Sequence, residues 1–100
     1  MRQYVLVSYD VCDAKRLRRI YKLMRGYGEH IQYSVFLCQL TDKDMVVLKE
    51  KLSDIANKNE DQIMLIRLGN VDAVNQVGYP ENWQVIGRKI NLRDTKVMVF

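Results

Sequence analysis

Apolar residues recur along this chain at two different spacings, and the changes of spacing mark its elements. Residues 3–9 are β-rich with an apolar middle, which predicts a first strand. Leu17, Ile20, Tyr21 and Met24 follow i, i+3, i+4, i+7, the spacing of one buried stripe on a helix. Asp13 stands where a carboxylate accepts from the free amides of the first turn, and Gly26 and Gly28 mark the far end. Residues 31–40 read as one long strand, with Ile31, Val35 and Leu37 on one face and Phe36, Cys38 and Leu40 on the other. Thr41 or Asp42 caps a second helix, whose stripe is Met45, Leu48, Leu52, Ile55 and Ala56. Residues 62–68 form a further strand, apolar on both faces apart from Arg67. Gly69, Asn70, Gly78 and Pro80 signal an irregular connection, after which 83–86 and 96–100 read as short strands.

This order is βαββαβ in outline. It predicts an α+β fold of the ferredoxin-like kind, a sandwich with both helices on one face of a mostly antiparallel sheet and an extra C-terminal strand. Residues 1–100 make a single domain, with about 1–80 as core and 81–100 as a C-terminal strand segment. The second face of the sheet is then a difficulty for a monomer. Leu6, Phe36, Cys38 and Leu40, with either Met64 and Ile66 or Ile63 and Leu65, leave apolar surface facing water. A homodimer with the two sheets face to face is the economical solution. The terminal strand at 97–100 offers a further means of pairing, by adding to the partner's sheet edge.

Composition sharpens the picture only locally. The formal net charge is +4, yet six of the sixteen Lys and Arg fall between Lys15 and Arg25 with no acid among them. Lys15, Arg18, Arg19 and Lys22 repeat the helical spacing on the face opposite the apolar stripe, with Arg25 a turn beyond. Salt bridges at i,i+4 cannot explain an acid-free row. Two readings stand: a solvated outer face, or contact with the phosphates of a nucleic acid. Two cysteines, Cys12 and Cys38, are too few for a disulfide scaffold, and Met1 leads into a strand without a signal-peptide pattern. No apolar run approaches the roughly 20 residues that span a bilayer. The expectation is a cytoplasmic protein with reduced thiols and no membrane partner.

Candidate chemistry gathers where the first strand meets this helix. Asp10 ends an apolar run that also carries Tyr9, so the strand delivers a carboxylate to its own C-terminal end. Such a carboxylate is a hard oxygen ligand suited to Mg²⁺, which takes one or two protein carboxylates and fills its other sites with water and phosphate oxygens. The bland alternative is an Asp that closes a loop or caps the helix beside Asp13. Two Asp10 side chains facing each other across a two-fold axis would remedy the weakness of one carboxylate per chain. Tyr9 either bonds phosphate or orients Asp10, or else simply fills the core; Phe36 either stacks a base or belongs to the core or interface. His30 is the only histidine, which removes His-based metal clusters and catalytic triads. Cys12 and Cys38 lack zinc-ligand spacing, and no phosphate-binding glycine loop is present. Arg25-Gly26-Tyr27-Gly28 opens like an RNA-recognition signature, but Glu29 and Gln32 then stand where aromatics belong.

Tyr9-Asp10-Val11-x-Asp13, followed by Lys15-Arg16-x-Arg18-Arg19, then Gly28 and Gln32-Tyr33-Ser34-Val35-Phe36, resembles the second CRISPR-associated (Cas) protein family, the small partner of the CRISPR integrase. The resemblance covers nearly the whole chain except about 71–94, where no motif matches. It implies a ferredoxin-like homodimer that binds DNA or RNA and bridges the integrase in spacer acquisition. It also implies Mg²⁺-dependent cleavage of single-stranded RNA or double-stranded DNA in some members, and a scaffold role alone in others. By matching positions it makes Asp10 the metal ligand at the dimer axis, surrounded by Tyr9, Arg16, Arg19, Ser34 and Phe36. Lys15, Arg16, Arg18, Arg19, Lys22 and Arg25 are the expected nucleic-acid contacts. Three functions follow for test: an adaptation protein with nuclease activity, a non-catalytic adaptor with the same contacts, and a regulatory or small-ligand domain that leaves the basic row unexplained.

Overall fold

Both helices begin where a side chain replaces the backbone partners that a first turn lacks. The computed structural model describes residues 1–70, in the order β1 (Gln3–Asp10), α1 (Ala14–Arg25), β2 (Gly28–Gln32), β3 (Val35–Leu40), α2 (Asp42–Ile55) and β4 (Gln62–Asn70). Asp13 caps α1 from an extended backbone, its carboxylate accepting from the Arg16 N–H at 3.0 Å. The cap lowers the Asp13 pKa, chiefly through that backbone hydrogen bond. Thr41 caps α2 reciprocally: its hydroxyl accepts from the Asp44 N–H at 3.1 Å, and the Asp44 carboxylate accepts from the Thr41 N–H at 2.9 Å. The segments expected as strands at 83–86 and 96–100, and the boundary drawn at 81, lie outside the described residues.

The four strands form one antiparallel sheet in the order β2-β3-β1-β4, the ferredoxin-like arrangement. Val5, Val7 and Tyr9 of β1 and Phe36, Cys38 and Leu40 of β3 face the helices. There they meet Ile20 and Met24 of α1 and Met45, Leu48 and Leu52 of α2 in one core. Ile63 and Leu65 of β4 join from the edge.

Four expectations change. The long strand at 31–40 is two strands, because Tyr33 takes a φ of 34°, in the left-handed region. That residue turns the chain back, and β2 pairs antiparallel with β3 instead of extending it. No glycine or asparagine marks the turn, so the sequence carries no hairpin signal there. Gly28, expected only as part of the helix end, opens β2: a Cβ there would stand 2.5 Å from Cys38 Sγ and 2.5 Å from the Leu37 carbonyl oxygen.

Phe36, Cys38 and Leu40 lie on the helix face, not the open one. Alternation groups residues by face, but only the register against β1 decides which group meets the helices: Val7 pairs with Phe36 and Val5 with Cys38. The open face carries Leu6, paired with Leu37 and Ile66, and Met64, paired with Ser8. Met64 and Ile66 are 46% and 42% exposed. Finally, Leu17 is 37% exposed, since the buried stripe of α1 centres on Ile20 and Met24.

Candidate functional site

β1 runs out of the core between β3 and β4, so its last residues lie at one end of the sheet. Asp10, exposed, is opposite Gln62 on β4. Tyr9 before it points the other way and is buried, as strand alternation requires. Its ring stacks on Phe36 with centroids 6.3 Å apart, and its N–H donates to the Ser34 carbonyl at 3.0 Å. The β2–β3 turn is thereby tied to the strand end that bears Asp10. Tyr9, Asp10, Ser34 and Phe36 do come together.

They do not share a surface. Phe36 is fully buried, with Tyr21 at 5.8 Å and His30 at 4.9 Å between ring centroids besides Tyr9. A ring enclosed on this scale has no face left for a base, so Phe36 supports the site from below. Burial, and then the neighbouring Tyr21, raise the Tyr9 pKa above its ordinary value, so the hydroxyl stays protonated. The single histidine contacts the Tyr33 carbonyl oxygen and the Tyr21 ring.

On α1, Lys15, Arg18, Arg19 and Lys22 are exposed and form neither an ion pair nor a hydrogen bond with side chains of the described residues. Arg25 is also exposed, its guanidinium 5.8 Å from the Tyr21 ring centre. Arg16 is different. Its Nε donates to Asp61 Oδ2 at 2.8 Å, and its Nη2 donates to Asp61 Oδ1 at 3.2 Å and Glu60 Oε2 at 3.3 Å. The acid-free row thus has an acidic partner after all, brought from the lead into β4. Asp61 accepts further bonds from the backbone N–H of Asn57 at 2.8 Å and of Cys12 at 3.2 Å. The Arg16 guanidinium, with these amides, holds the Asp61 carboxyl down at about 2. Sequence reading missed Glu60 and Asp61: Asp61 and Arg16 are 45 positions apart, and no local pattern joins them.

As for metal ligands, no group of three or more His, Cys, Asp and Glu suited to a metal ion occurs among the described residues. Among the described residues, Asp13 is engaged in its cap and Asp61 and Glu60 with Arg16, whereas Asp10 has no side-chain partner. That donor fits Mg²⁺ chemically, but it is a single protein ligand. Cys12 and Cys38 are free thiols. Among the described residues no helix is long and apolar enough to cross a membrane.

The chain is thus a ferredoxin-like sandwich with an exposed strand-end carboxylate beside a basic helix face. The family described as CRISPR associated protein Cas2 matches residues 1–75, and the chain belongs to that family. It is 40% identical over 78 residues to the CRISPR-associated endoribonuclease Cas2 2 of Thermodesulfovibrio yellowstonii, covering 78% of this chain and 86% of that protein. It is 45% identical over 58 residues to the CRISPR-associated endoribonuclease Cas2 of Thermus thermophilus, covering 58% and 62% respectively. The crystal structure of Streptococcus pyogenes Cas2 at pH 6.5 superposes with a TM-score of 0.63 at 38% identity, covering 75% of this chain and 99% of that one.

Proposed function

We propose that this protein is a CRISPR adaptation subunit that binds nucleic acid as a homodimer, bridges the integrase in spacer acquisition, and cleaves phosphodiesters with Mg²⁺ at paired Asp10 carboxylates. The observation that carries the reading is Asp10 itself: an exposed carboxylate, without a side-chain partner among the described residues, at the end of a strand followed by a helix whose Lys15, Arg18, Arg19 and Lys22 form no ion pair among those residues. Dimerisation through the open sheet face covers Leu6, Met64 and Ile66. A two-fold axis near the end of β1 then supplies the second carboxylate. The names of the relatives favour RNA as substrate.

When bound, Mg²⁺ supplies charge neutralisation at the scissile phosphate and a more acidic water. Asp10 holds it through its carboxylate oxygens. Tyr9, stacked on Phe36 and bonded to the β2–β3 turn, fixes the backbone from which Asp10 projects. Lys15, Arg18, Arg19 and Lys22 bind backbone phosphates without reading sequence. One observation favours the second reading, a non-catalytic adaptor with the same contacts. His30, the sole histidine, is engaged with the Tyr33 carbonyl of the β2–β3 turn and is not held toward Asp10 as a general base.

The test is a cleavage assay on the wild type and Asp10→Ala, with labelled single-stranded RNA and double-stranded DNA, Mg²⁺ or EDTA, across a range of pH. Metal-dependent cleavage that falls roughly a hundredfold or more in the variant is expected, as for loss of a group that stabilises developing charge. Cleavage that survives the substitution points to a contaminant or another site, and none in the wild type points to the adaptor; either removes the Asp10 catalytic reading.

A further inference from the structure

Residues 11–13 leave β1 directly after Asp10 and must turn before α1 begins. Short connections of this kind take their order from the bonds that satisfy their backbone. Here Asp13 bonds forward into its own helix, while Cys12 bonds across to the lead into β4: its N–H donates to Asp61 Oδ1 at 3.2 Å and its thiol donates to the Glu60 carbonyl at 3.3 Å. The Asp61 side chain is fully buried against Arg16, and its two oxygens collect the N–H groups of Cys12 and Asn57 and both donors of Arg16. One carboxylate therefore ties together the loop after Asp10, the first turn of α1 and the turn before β4. Gln62, the next residue, is the cross-strand partner of Asp10.

We propose that Asp61 is the positioning residue of the Asp10 site: its carboxylate clasps the 11–13 loop and Arg16 together and so sets how Asp10 projects from the end of β1. Arg16 accordingly belongs to the clasp and not to the phosphate-binding row. A buried charge bonded on both oxygens is costly to disturb, because removing its partner leaves the other charge stranded. The catalytic half of this inference rests on the nuclease reading above; the structural half does not.

The two thiols make the clasp measurable without any cleavage. Cys38 is fully buried with its pKa pushed up to about 12, and is silent toward a thiol reagent in the folded protein. Cys12 is exposed, and its backbone amide is one of the clasp's donors. In Asp61→Asn, which keeps size and shape, Cys12 is expected to react several-fold faster with a chromogenic disulfide reagent, and the amides of 11–13 to exchange faster. Arg16→Lys, which cannot reach both oxygens in fork geometry, is expected to act in the same direction, and Asp61→Glu to restore part of the protection. Asp54→Asn, altering an exposed carboxylate of α2 that bonds neither Arg16 nor Cys12, is the control expected to leave Cys12 unchanged. In Mg²⁺-dependent RNA cleavage, Asp61→Asn is expected to lower kcat while leaving KM and the salt dependence of binding unchanged.

Unchanged Cys12 reactivity and exchange in folded Asp61→Asn and Arg16→Lys overturn the clasp. Faster thiol reaction with unchanged kcat overturns the positioning of Asp10. If the wild type cleaves nothing, the nuclease reading falls, and the thiol and exchange measurements alone decide whether Asp61 holds the loop.

Discussion

Tyr9 and Asp10 show how strand alternation divides labour between adjacent residues. Tyr9 enters the core and stacks on Phe36, while Asp10 faces solvent. The pair was legible in the sequence as a local pattern, an apolar run ending in a carboxylate, but Tyr9 read alike as a phosphate ligand or a core residue. Phe36 was legible as important but not in what way, since a Phe in a strand reads alike as platform or core. Its full burial among Tyr9, Tyr21 and His30 decides the matter. Phe36→Ala is expected to cost about 3–5 kcal/mol of stability, the usual range for emptying such a site. Urea unfolding checks this: a midpoint almost unmoved, with nucleic-acid binding lost, would return Phe36 to the substrate surface.

At the scale of the element, α1 carries two different kinds of cation on one helix. Lys15, Arg18, Arg19 and Lys22 are exposed and form no ion pair among the described residues, while Arg16 is drawn aside by Asp61. Counterion release makes the difference countable, since each phosphate contact contributes about 0.9 to the slope of log K against log salt on duplex DNA and about 0.7 on single strands. Arg19→Gln and Lys22→Gln are each expected to reduce the slope by about that amount, and Arg16→Gln to leave it unchanged. Equal reductions at Arg16 and Arg19 would show Arg16 to be a phosphate ligand. Spacing alone made these residues look equivalent. Only the turn before β4, far away in sequence, distinguishes them.

For the whole molecule, the sheet face away from the helices carries two exposed apolar side chains among the described residues, Met64 and Ile66. Leu6, Met64 and Ile66 lie together on it through the pairing of β1 with β4. On the proposed reading, a second copy laid on that face covers the apolar patch and supplies the second Asp10 carboxylate. Ile66→Lys, which sets a charge in the centre of the patch, is expected to convert a dimer into a folded monomer and to abolish Mg²⁺-dependent cleavage with it. Sedimentation equilibrium at micromolar concentration measures the first effect. A variant that remains dimeric and active would place the interface elsewhere.

The sequence by itself determined what short-range periodicity can express. It set two amphipathic helices with their caps, strands at both ends of the described core, the basic row and the carboxylate at the end of β1, and, through the resemblance its motifs carry, the family. Apolar spacing and capping are contacts within a few residues, so they are written where they act. Tertiary structure alone decided the hairpin at Tyr33, where a residue without turn chemistry takes a left-handed φ. It also decided which face of β3 meets the helices, since alternation is symmetric until β1 supplies the register. The clasp at Asp61 belongs to the same kind: it joins Arg16, Cys12 and the lead into β4 across more than forty residues, and only a folded chain brings those groups within bonding distance.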